Sequence, residues 1–160
     1  MLDQSCASAR PKFLADIMLG SLARWLRILG YDTVYDNQIE DDEIIARSSR
    51  ECRITLTRDR RLQQRLEVSR CLMIENDDLF HQIREVLEFL GHDVSPERLL
   101  TRCLRCNAPL ERVSKDGIRP QVPSYVFKTQ SRFKRCPVCQ RIYWGGTHRQ
   151  NIYQRLQARL

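Results

Sequence analysis

The chain has 160 residues, of which 42% are hydrophobic and 29% charged, and its formal net charge is +7. This composition excludes a disordered chain, and no uncharged apolar stretch approaches the ~18 residues that a membrane helix needs. The start, MLDQSCASARPK, contains an acid and no apolar core of a secretory signal. We therefore expect residues 1–10 to be a disordered lead-in of a cytoplasmic protein that does not bind membranes.

The charge is divided unevenly along the chain. Residues 1–98 hold 14 Lys and Arg against 18 Asp and Glu, whereas residues 99–160 hold 13 against 2, so the net charges are −4 and +11. A basic segment joined to an acidic one indicates two units with different roles, and the basic unit is suited to contact phosphates. The alternative is that the charge serves solubility alone.

In the acidic part, short apolar runs alternate with segments of helical periodicity. The runs predict strands at 12–15, 33–35, 53–57 and 71–74. The periodic segments predict helices at 18–30, 40–49, 61–66 and 79–90. This alternation predicts an α/β domain over residues 11–93, with a mostly parallel sheet flanked by helices on both faces.

Proline and glycine are frequent in the basic part, which indicates a different architecture. Residues 94–98 are predicted to be a linker, with Ser95 before Pro96 at the start of one helical turn. Short strands are expected over 99–150, and the next long helix is expected only at 147–160. Ile152 and Leu156 in that helix are expected to pack back onto the protein.

Four of the seven cysteines form two Cys-x-x-Cys pairs. CLRC contains Cys103 and Cys106, CPVC contains Cys136 and Cys139, and 29 residues separate the pairs. Two such knuckles supply four thiolates and no open position, so they predict a closed, structural zinc site in a small β-rich zinc ribbon. A hairpin is expected to occupy the interval between them. The alternative is that these cysteines are redox-active or unrelated.

Basic and aromatic residues are interleaved around the cysteines. The basic ones could neutralise phosphates, and the aromatic faces could stack on unpaired bases. At least half of the aromatic residues are expected to fill the small core of the ribbon instead. The aromatic set is Tyr125, Phe127, Phe133, Tyr143 and Trp144.

Three aspartates stand where elements of the α/β domain end or begin. Asp16 follows the first strand, Asp41 opens a helix, and Asp59 follows the third strand. The carboxyl ends of parallel strands share one edge, so these acids could converge there and bind Mg²⁺ or Mn²⁺. Such an ion can orient a water for attack on a phosphodiester. Helix capping by Asp41 and a surface position for Asp16 are ordinary alternatives.

Four segments in combination resemble one known family. FLADIMLGSLARWLRILGYDTVYDN, DDEIIARSSRECRITLTRD, RCLRCN and CPVCQRIYWGGTH are similar to the mut-seven C-terminal ribonuclease domain family. The resemblance implies a PIN-like nuclease fold with an appended zinc ribbon at 99–150. It also implies that Asp16, Asp41 and Asp59 bind the catalytic metal and that the paired cysteines bind zinc. Arg58 and Gln82 match family positions as well.

Further site residues are candidates only. Asp42 leaves a one-residue ambiguity with Asp41, and Asp77 or Asp78 could be a fourth acid, although a capping role for the helix after them is favoured. The candidate RNA contacts are Arg58, Arg102, Arg105, Arg132, Lys134, Arg135, Arg141, Trp144, His148 and Arg149.

These patterns together predict a metal-dependent ribonuclease with RNA as its partner. The alternative is a non-catalytic RNA- or ribosome-binding module with a vestigial acid cluster, since a fold does not determine a function. A toxin-like protein bound by an antitoxin-like partner is a third interpretation, supported by fold analogy alone.

Overall fold

The computed structural model describes residues 10–67, 70–146 and 148–160, so the predicted lead-in lies outside the described residues except for Arg10. Strands and helices alternate in the first part. They are β1 (Lys12–Ala15), α1 (Gly20–Ile28), β2 (Asp32–Tyr35), α2 (Asp41–Arg50), β3 (Arg53–Thr57), α3 (Arg60–Arg65), β4 (Cys71–Met73) and α4 (Leu79–Leu90). The bounds of β1, β3 and α4 are those predicted. No helix in the described ranges has the length and hydropathy needed to cross a bilayer.

The four strands form a parallel sheet in the order β2-β1-β3-β4. Phe13 and Ala15 of β1 pack against α1 and α4 on one face, while Leu14 packs against Ile44 of α2 and Leu62 of α3 on the other. Helices therefore cover both faces, as the alternation predicted. All four strands end at the same edge of the sheet, here called the carboxyl edge, and the opposite one is the amino edge.

The second part contains β5 (Glu111–Val113), α5 (Ser124–Thr129), β6 (Phe133–Arg135), β7 (Ile142–Trp144) and α6 (His148–Arg159). The three strands form an antiparallel sheet in the order β5-β6-β7. The interval between the cysteine pairs is more than the expected hairpin. β5 does pair with β6, but a 3-10 helix at Asp116–Gln121 and α5 connect them. Ile118 and Val122 of this connection pack on Phe133, which gives the antiparallel sheet a small core of its own.

The segments on either side of the antiparallel sheet belong to the main core. Leu99 before it, and Ile152 and Leu156 after it, are buried in the cluster that α1 and α4 form on the parallel sheet. The expected packing of Ile152 and Leu156 is thus confirmed. The chain also crosses closely over the end of α1, because a Cβ on Gly30 would lie 2.5 Å from the Arg98 carbonyl oxygen. The antiparallel sheet is therefore held at both of its ends.

A carboxylate at the amino edge joins the two parts. Asp32, the first residue of β2, accepts hydrogen bonds on Oδ1 from Arg53 Nη1 at 2.7 Å and from Asn107 Nδ2 at 2.7 Å. Arg102 Nη2 lies 3.5 Å from Asp32 Oδ2, and the Thr33 amide donates to Asn107 Oδ1 at 3.0 Å. Asn107 and Arg102 flank the first cysteine pair, so this network fixes that pair against the start of β2.

The environment of Asp32 favours its charged form. Burial acts to raise its pKa, but the hydrogen bonds from Arg53 and Asn107 and the charges of Arg53 and Arg102 outweigh that effect. The pKa of Asp32 is therefore lowered from its ordinary value. A carboxylate whose pKa falls on folding stabilises the folded state at neutral pH and loses that contribution in acid.

A buried arginine makes the second connection between the parts. Arg27, at the end of α1, is 8% exposed. Its Nε donates to the Thr33 carbonyl at 2.8 Å, and its Nη1 donates to the carbonyls of Leu104 and Arg105 at 3.0 and 3.2 Å. The two carbonyls lie between Cys103 and Cys106. One guanidinium therefore binds β2 and the first cysteine pair at once.

The Asp32 network gives a stability prediction. Asp32→Asn keeps the shape but removes the charge that binds Arg53 and Arg102, so we expect the free energy of unfolding to fall by about 1.5–3 kcal/mol at pH 7. The difference from wild type should shrink as the pH drops below about 4, the range in which a free aspartate takes up its proton. Denaturant unfolding at several pH values measures both effects.

Asp36→Asn is the matched control, because Asp36 is exposed in the loop after β2 and its Oδ1 accepts only from the nearby Gln38 amide among the contacts of the described residues. It should change the free energy of unfolding by less than about 0.5 kcal/mol. Equal effects of the two substitutions would contradict the role given to Asp32.

Candidate metal centres and nucleic-acid surface

The four paired cysteines meet in space. The sulfurs of Cys103, Cys106, Cys136 and Cys139 all lie within 4.8 Å of one another. Those of Cys103 and Cys139 are 3.6 Å apart, close to the about 3.8 Å expected in a tetrahedron of about 2.3 Å zinc–sulfur bonds. Four soft thiolates in this arrangement suit a closed zinc site, so the cluster fits the predicted zinc ribbon.

Both cysteine pairs adopt the same turn. The Cys106 amide lies 3.3 Å from the Cys103 sulfur, and the Cys139 amide lies 3.5 Å from the Cys136 sulfur. The next residue in each case has a positive φ, 62° at Asn107 and 60° at Gln140. Asparagine tolerates this conformation better than most residues. In the first knuckle the same residue also makes the contacts to Thr33 and Asp32.

Tyr143 of β7 reaches the cysteine cluster from the antiparallel sheet. Its hydroxyl lies 3.2 Å from the Cys103 sulfur and accepts a hydrogen bond from the Leu104 amide at 3.2 Å. Burial opposes ionisation of Cys103, but the hydrogen bonds from Tyr143 and from the amides of Cys106 and Arg105 outweigh it and lower the pKa of Cys103 to about 6. A thiolate at neutral pH is the form that binds zinc.

Two of the candidate acids meet at the carboxyl edge, where β1 and β3 end. Asp16 is 5% exposed, and its Oδ2 accepts a hydrogen bond from the Thr57 hydroxyl at 2.7 Å. The Thr57 hydroxyl in turn accepts from the Asp59 amide at 2.9 Å. One threonine at the tip of β3 therefore holds Asp16 and the backbone of Asp59 together. The Asp59 carboxylate caps α3 by accepting from the Arg61 amide at 2.7 Å.

The third acid lies at the start of α2. Asp41 is exposed, and its Oδ2 lies 3.7 Å from Arg65 Nη1. Asp42 is also exposed and pairs with the Nη2 of the same arginine. Arg65 stands at the far end of α3 from Asp59. Both members of the Asp41–Asp42 doublet are thus bound to a cation of the chain.

Among the described residues, the cysteines are the only group of three or more His, Cys, Asp or Glu side chains whose ligand atoms lie this close together. Asp16, Asp41 and Asp59 therefore do not form such a group, although Asp16 and Asp59 are joined through Thr57.

The loop before α4 carries the other acids. Asp78 caps α4 by accepting from the amides of Phe80 and His81, which lower its pKa, so the favoured capping role is confirmed for this residue. Asp77 forms an ion pair with Arg58, next to Asp59. Gln82 is buried, and its Nε2 donates to the Asn76 carbonyl at 2.9 Å. Gln82 thus holds the loop that presents Asp77 at the carboxyl edge.

The Mut7-C RNAse domain family model matches residues 11–156, nearly the whole chain. The chain belongs to the Mut7-C RNase domain family. Membership in this family supports a nuclease role and implies an RNA substrate. No curated protein and no solved structure gives a significant match.

The residues of the Mut7-C chain that were predicted to contact RNA fall into two groups, those with partners inside the fold and those that are exposed. Several already have partners inside the fold: Arg102 at Asp32 and the Asn107 carbonyl, Lys134 at the Leu100 carbonyl, Arg149 at the Pro96 carbonyl, and Arg58 at Asp77. The exposed members of the set are Arg105, Arg132, Arg141 and Trp144. Arg135 is half-buried, and the side chain of His148 lies outside the described parts.

Two of the exposed members line one depression. Arg141 and Trp144 border a cavity of about 330 Å³ on β7, together with Gln121 and Gln140. Trp144 is 40% exposed. A cation beside an accessible aromatic face is the combination that contacts a phosphate and stacks on a base. Sequence reasoning did not find Thr57, Asn107 and Arg27 around these sites. It named Tyr143 only as an aromatic residue of the ribbon and not as a contact of the cysteine cluster.

The cysteine cluster predicts one zinc ion per chain. Cys103→Ser should abolish zinc binding, whereas Cys71→Ser should retain it, because Cys71 is a buried thiol of β4 outside the cluster. Zinc binding contributes on the order of 10 kcal/mol to folding of such modules, so its removal should unfold β5, β6 and β7. Elemental analysis measures the metal content of each variant.

The two tryptophans report on the two parts separately. Trp25 in α1 packs edge-on against Phe80, and Trp144 lies in β7. On chelation, the emission of a Trp25→Phe variant should shift to the red, while that of Trp144→Phe should change little. Zinc bound at full stoichiometry by the Cys103 variant would contradict the assignment.

Proposed function

We propose that the chain is a metal-dependent ribonuclease that hydrolyses RNA phosphodiester bonds at the carboxyl edge of its parallel sheet. The zinc ribbon binds the RNA and brings it to that edge. Family membership and the burial of Asp16 support this proposal.

The observation that carries the proposal is the environment of Asp16. Its carboxylate accepts hydrogen bonds from the Ile17 amide and the Thr57 hydroxyl, and no ion pair within the described ranges involves it. A buried carboxylate needs a counter-charge, since an unpaired buried charge costs several kcal/mol. A hard divalent cation satisfies that need, and carboxylate oxygens are its preferred ligands.

The proposed roles follow from these contacts. Asp16 and Asp59 would hold the Mg²⁺ or Mn²⁺, and Asp41 would bind the same ion once its contact with Arg65 is broken. When bound, the ion polarises the phosphate and makes a water more acidic. Thr57 keeps Asp16 and Asp59 in register, because its hydroxyl bonds to both. As in the nucleases that the sequence resembles, cleavage would leave a 5′-phosphate and a 3′-hydroxyl.

RNA binding is assigned to the ribbon. Its exposed Arg105, Arg132 and Arg141 contact phosphates, and Trp144 stacks on a base. We place the protein in the cytoplasm, because a reducing compartment keeps the four zinc-binding cysteines free of disulfides.

The alternative is a non-catalytic RNA- or ribosome-binding module. Two observations favour it: Arg65 forms an ion pair with Asp41, and the three acids do not form a close group among the described residues. The two functions differ in whether the acids are needed for RNA turnover, which the first experiment tests directly.

Substitution of the acids should separate cleavage from binding. Asp16→Asn, Asp41→Asn and Asp59→Asn should each lower Mn²⁺-dependent RNA cleavage by roughly 100-fold or more, because the metal supplies several kcal/mol of transition-state stabilisation. RNA affinity and thermal stability should change little. Cleavage of a labelled RNA, with and without Mn²⁺, measures the effect.

Asp36→Asn again serves as the control, since Asp36 lies in the loop after β2 at the same edge and is exposed. It should retain full activity. Equal cleavage by the Asp16 variant and wild type, or none by wild type with any divalent ion, would favour the non-catalytic module.

Salt dependence should locate the RNA-binding surface. In Arg105→Ala/Arg141→Ala, the slope of log affinity against log salt should fall by about 1.4, because each contact to single-stranded RNA contributes about 0.7. The matched variant Arg24→Ala/Arg50→Ala removes the same charge from exposed positions of the α/β domain and should leave the slope unchanged.

These measurements use the whole chain, because Leu99, Ile152 and Leu156 complete the core of the α/β domain and a fragment ending before them would expose that core. An equal loss of slope in both double variants would show that the net charge, and not the ribbon, binds RNA.

A further inference from the structure

Three arginines lie together at the carboxyl end of β3. Arg58 directly follows the strand, and Arg60 and Arg61 begin α3, so the sequence RDRR places three cations around Asp59. The surrounding part of the chain, residues 1–98, has a net charge of −4. Three basic residues therefore surround Asp59 at the edge where it meets Asp16.

Arg60 and Arg61 have no evident structural role. Both are exposed, and in the described parts of the chain neither forms an ion pair or a side-chain hydrogen bond. Cations in the first turn of a helix oppose its dipole and cost stability. Arg65, in the last turn, already occupies the favourable end and pairs with Asp41 and Asp42. Stability of α3 thus does not explain the two arginines.

Exposed apolar side chains flank the other acid. Ile17 and Met18, which follow Asp16 directly, are 49% and 64% exposed. Their turn is fixed in place, because the Tyr35 hydroxyl donates to the Ile17 carbonyl at 3.1 Å and a Cβ on Gly20 would lie 2.8 Å from the Tyr35 ring. The chain therefore holds an apolar surface steady beside a buried carboxylate.

We propose that these two features form a cradle for single-stranded RNA on either side of the candidate catalytic acids. Arg60 and Arg61 bind phosphates that flank the bond to be cut, and Met18 and Ile17 contact the face of a neighbouring base. Charge complementarity selects this occupant, since a polyanion with apolar base faces matches guanidinium groups on one side and an apolar turn on the other.

The cradle rests on the proposed function, because it locates the reacting phosphate near Asp16 and Asp59. The ribbon and the cradle make different contributions to RNA binding. The ribbon, which lies away from the acids, supplies most of the affinity, whereas the cradle determines which phosphate lies at the acids. Loss of the cradle should therefore raise KM and spread cleavage over neighbouring phosphates. Its effect on kcat should be smaller than its effect on KM.

Binding is tested in an Asp16→Asn background, which keeps RNA intact during the measurement. In this background, Arg60→Ala/Arg61→Ala should weaken binding of a short unstructured RNA about 10-fold at low salt and reduce the salt slope by about 1.4. Arg60→Lys/Arg61→Lys keeps both charges and should restore the slope. Arg24→Ala/Arg50→Ala is the charge-matched control and should match the background protein.

The apolar side of the cradle has its own test. Met18→Ser should weaken RNA binding several-fold with no change in salt slope, because an apolar contact with a base releases no counterions. Phe89→Ser in α4 is the control, since Phe89 is a comparably exposed apolar residue, 44%, on another element.

In otherwise wild-type protein, Arg60→Ala/Arg61→Ala should raise KM for cleavage about 10-fold and spread the cleavage sites over adjacent positions.

The outcomes distinguish the cradle from the proposed function. An unchanged salt slope in Arg60→Ala/Arg61→Ala, or no loss of RNA affinity in Met18→Ser, would overturn the cradle even if the wild-type protein cleaves RNA. The second result would point instead to a protein partner for the apolar turn. A wild-type protein that never cleaves RNA would overturn the proposed function, while the binding measurements would still decide whether RNA lies on this edge.

Discussion

The position of the zinc ribbon depends on the carboxylate of Asp32. This side chain stands at the first residue of β2 and binds Arg53 of the central sheet on one side and Asn107 and Arg102 of the first knuckle on the other. Burial alone would favour its neutral form, but two hydrogen bonds and two cations keep it charged. Arg27 donates hydrogen bonds to two carbonyls of the same knuckle, so the ribbon has one orientation relative to the sheet. Segments before and after the ribbon reinforce this orientation by packing in the shared core.

Much of this architecture could be predicted because it rests on local patterns. β3 and α4 have the predicted bounds, since a short run of apolar and β-branched residues between two arginines and a helical repeat of apolar residues each have one simple interpretation. The cysteine pairs predicted their own convergence through their spacing. The connection between the pairs was predicted less well, because its short helices are stabilised by packing on Phe133 and not by their own periodicity.

The polar contacts around the sites could not be predicted, because their partners are far apart in the chain. Arg27 lies on a helix that was predicted from the spacing of its apolar residues, and nothing in that spacing indicates a role for Arg27. The carbonyls that it binds are 77 and 78 residues away in the chain. Thr57 was visible only as the last residue of a strand, yet its hydroxyl joins Asp16 to Asp59. The three acids were predicted because they stand at the ends or starts of strands and helices. This position places a residue at one edge of the sheet, but it does not give the distance between one acid and the next.

The opposite placement of the knuckle and the acids has a consequence for substrate length. The first knuckle is fixed at the amino edge, while Asp16 and Asp59 lie at the carboxyl edge, and the four residues of β1 between these edges rise about 13 Å. Each strand of a duplex advances about 3.4 Å per nucleotide, so an RNA strand stacked in this way spans about four nucleotides or more when it touches both edges, and an extended strand needs fewer. Dinucleotides and trinucleotides that stay stacked would reach only one edge at a time. If RNA binds as proposed, the height of the sheet would therefore separate short, stacked oligonucleotides from strands long enough to contact both edges.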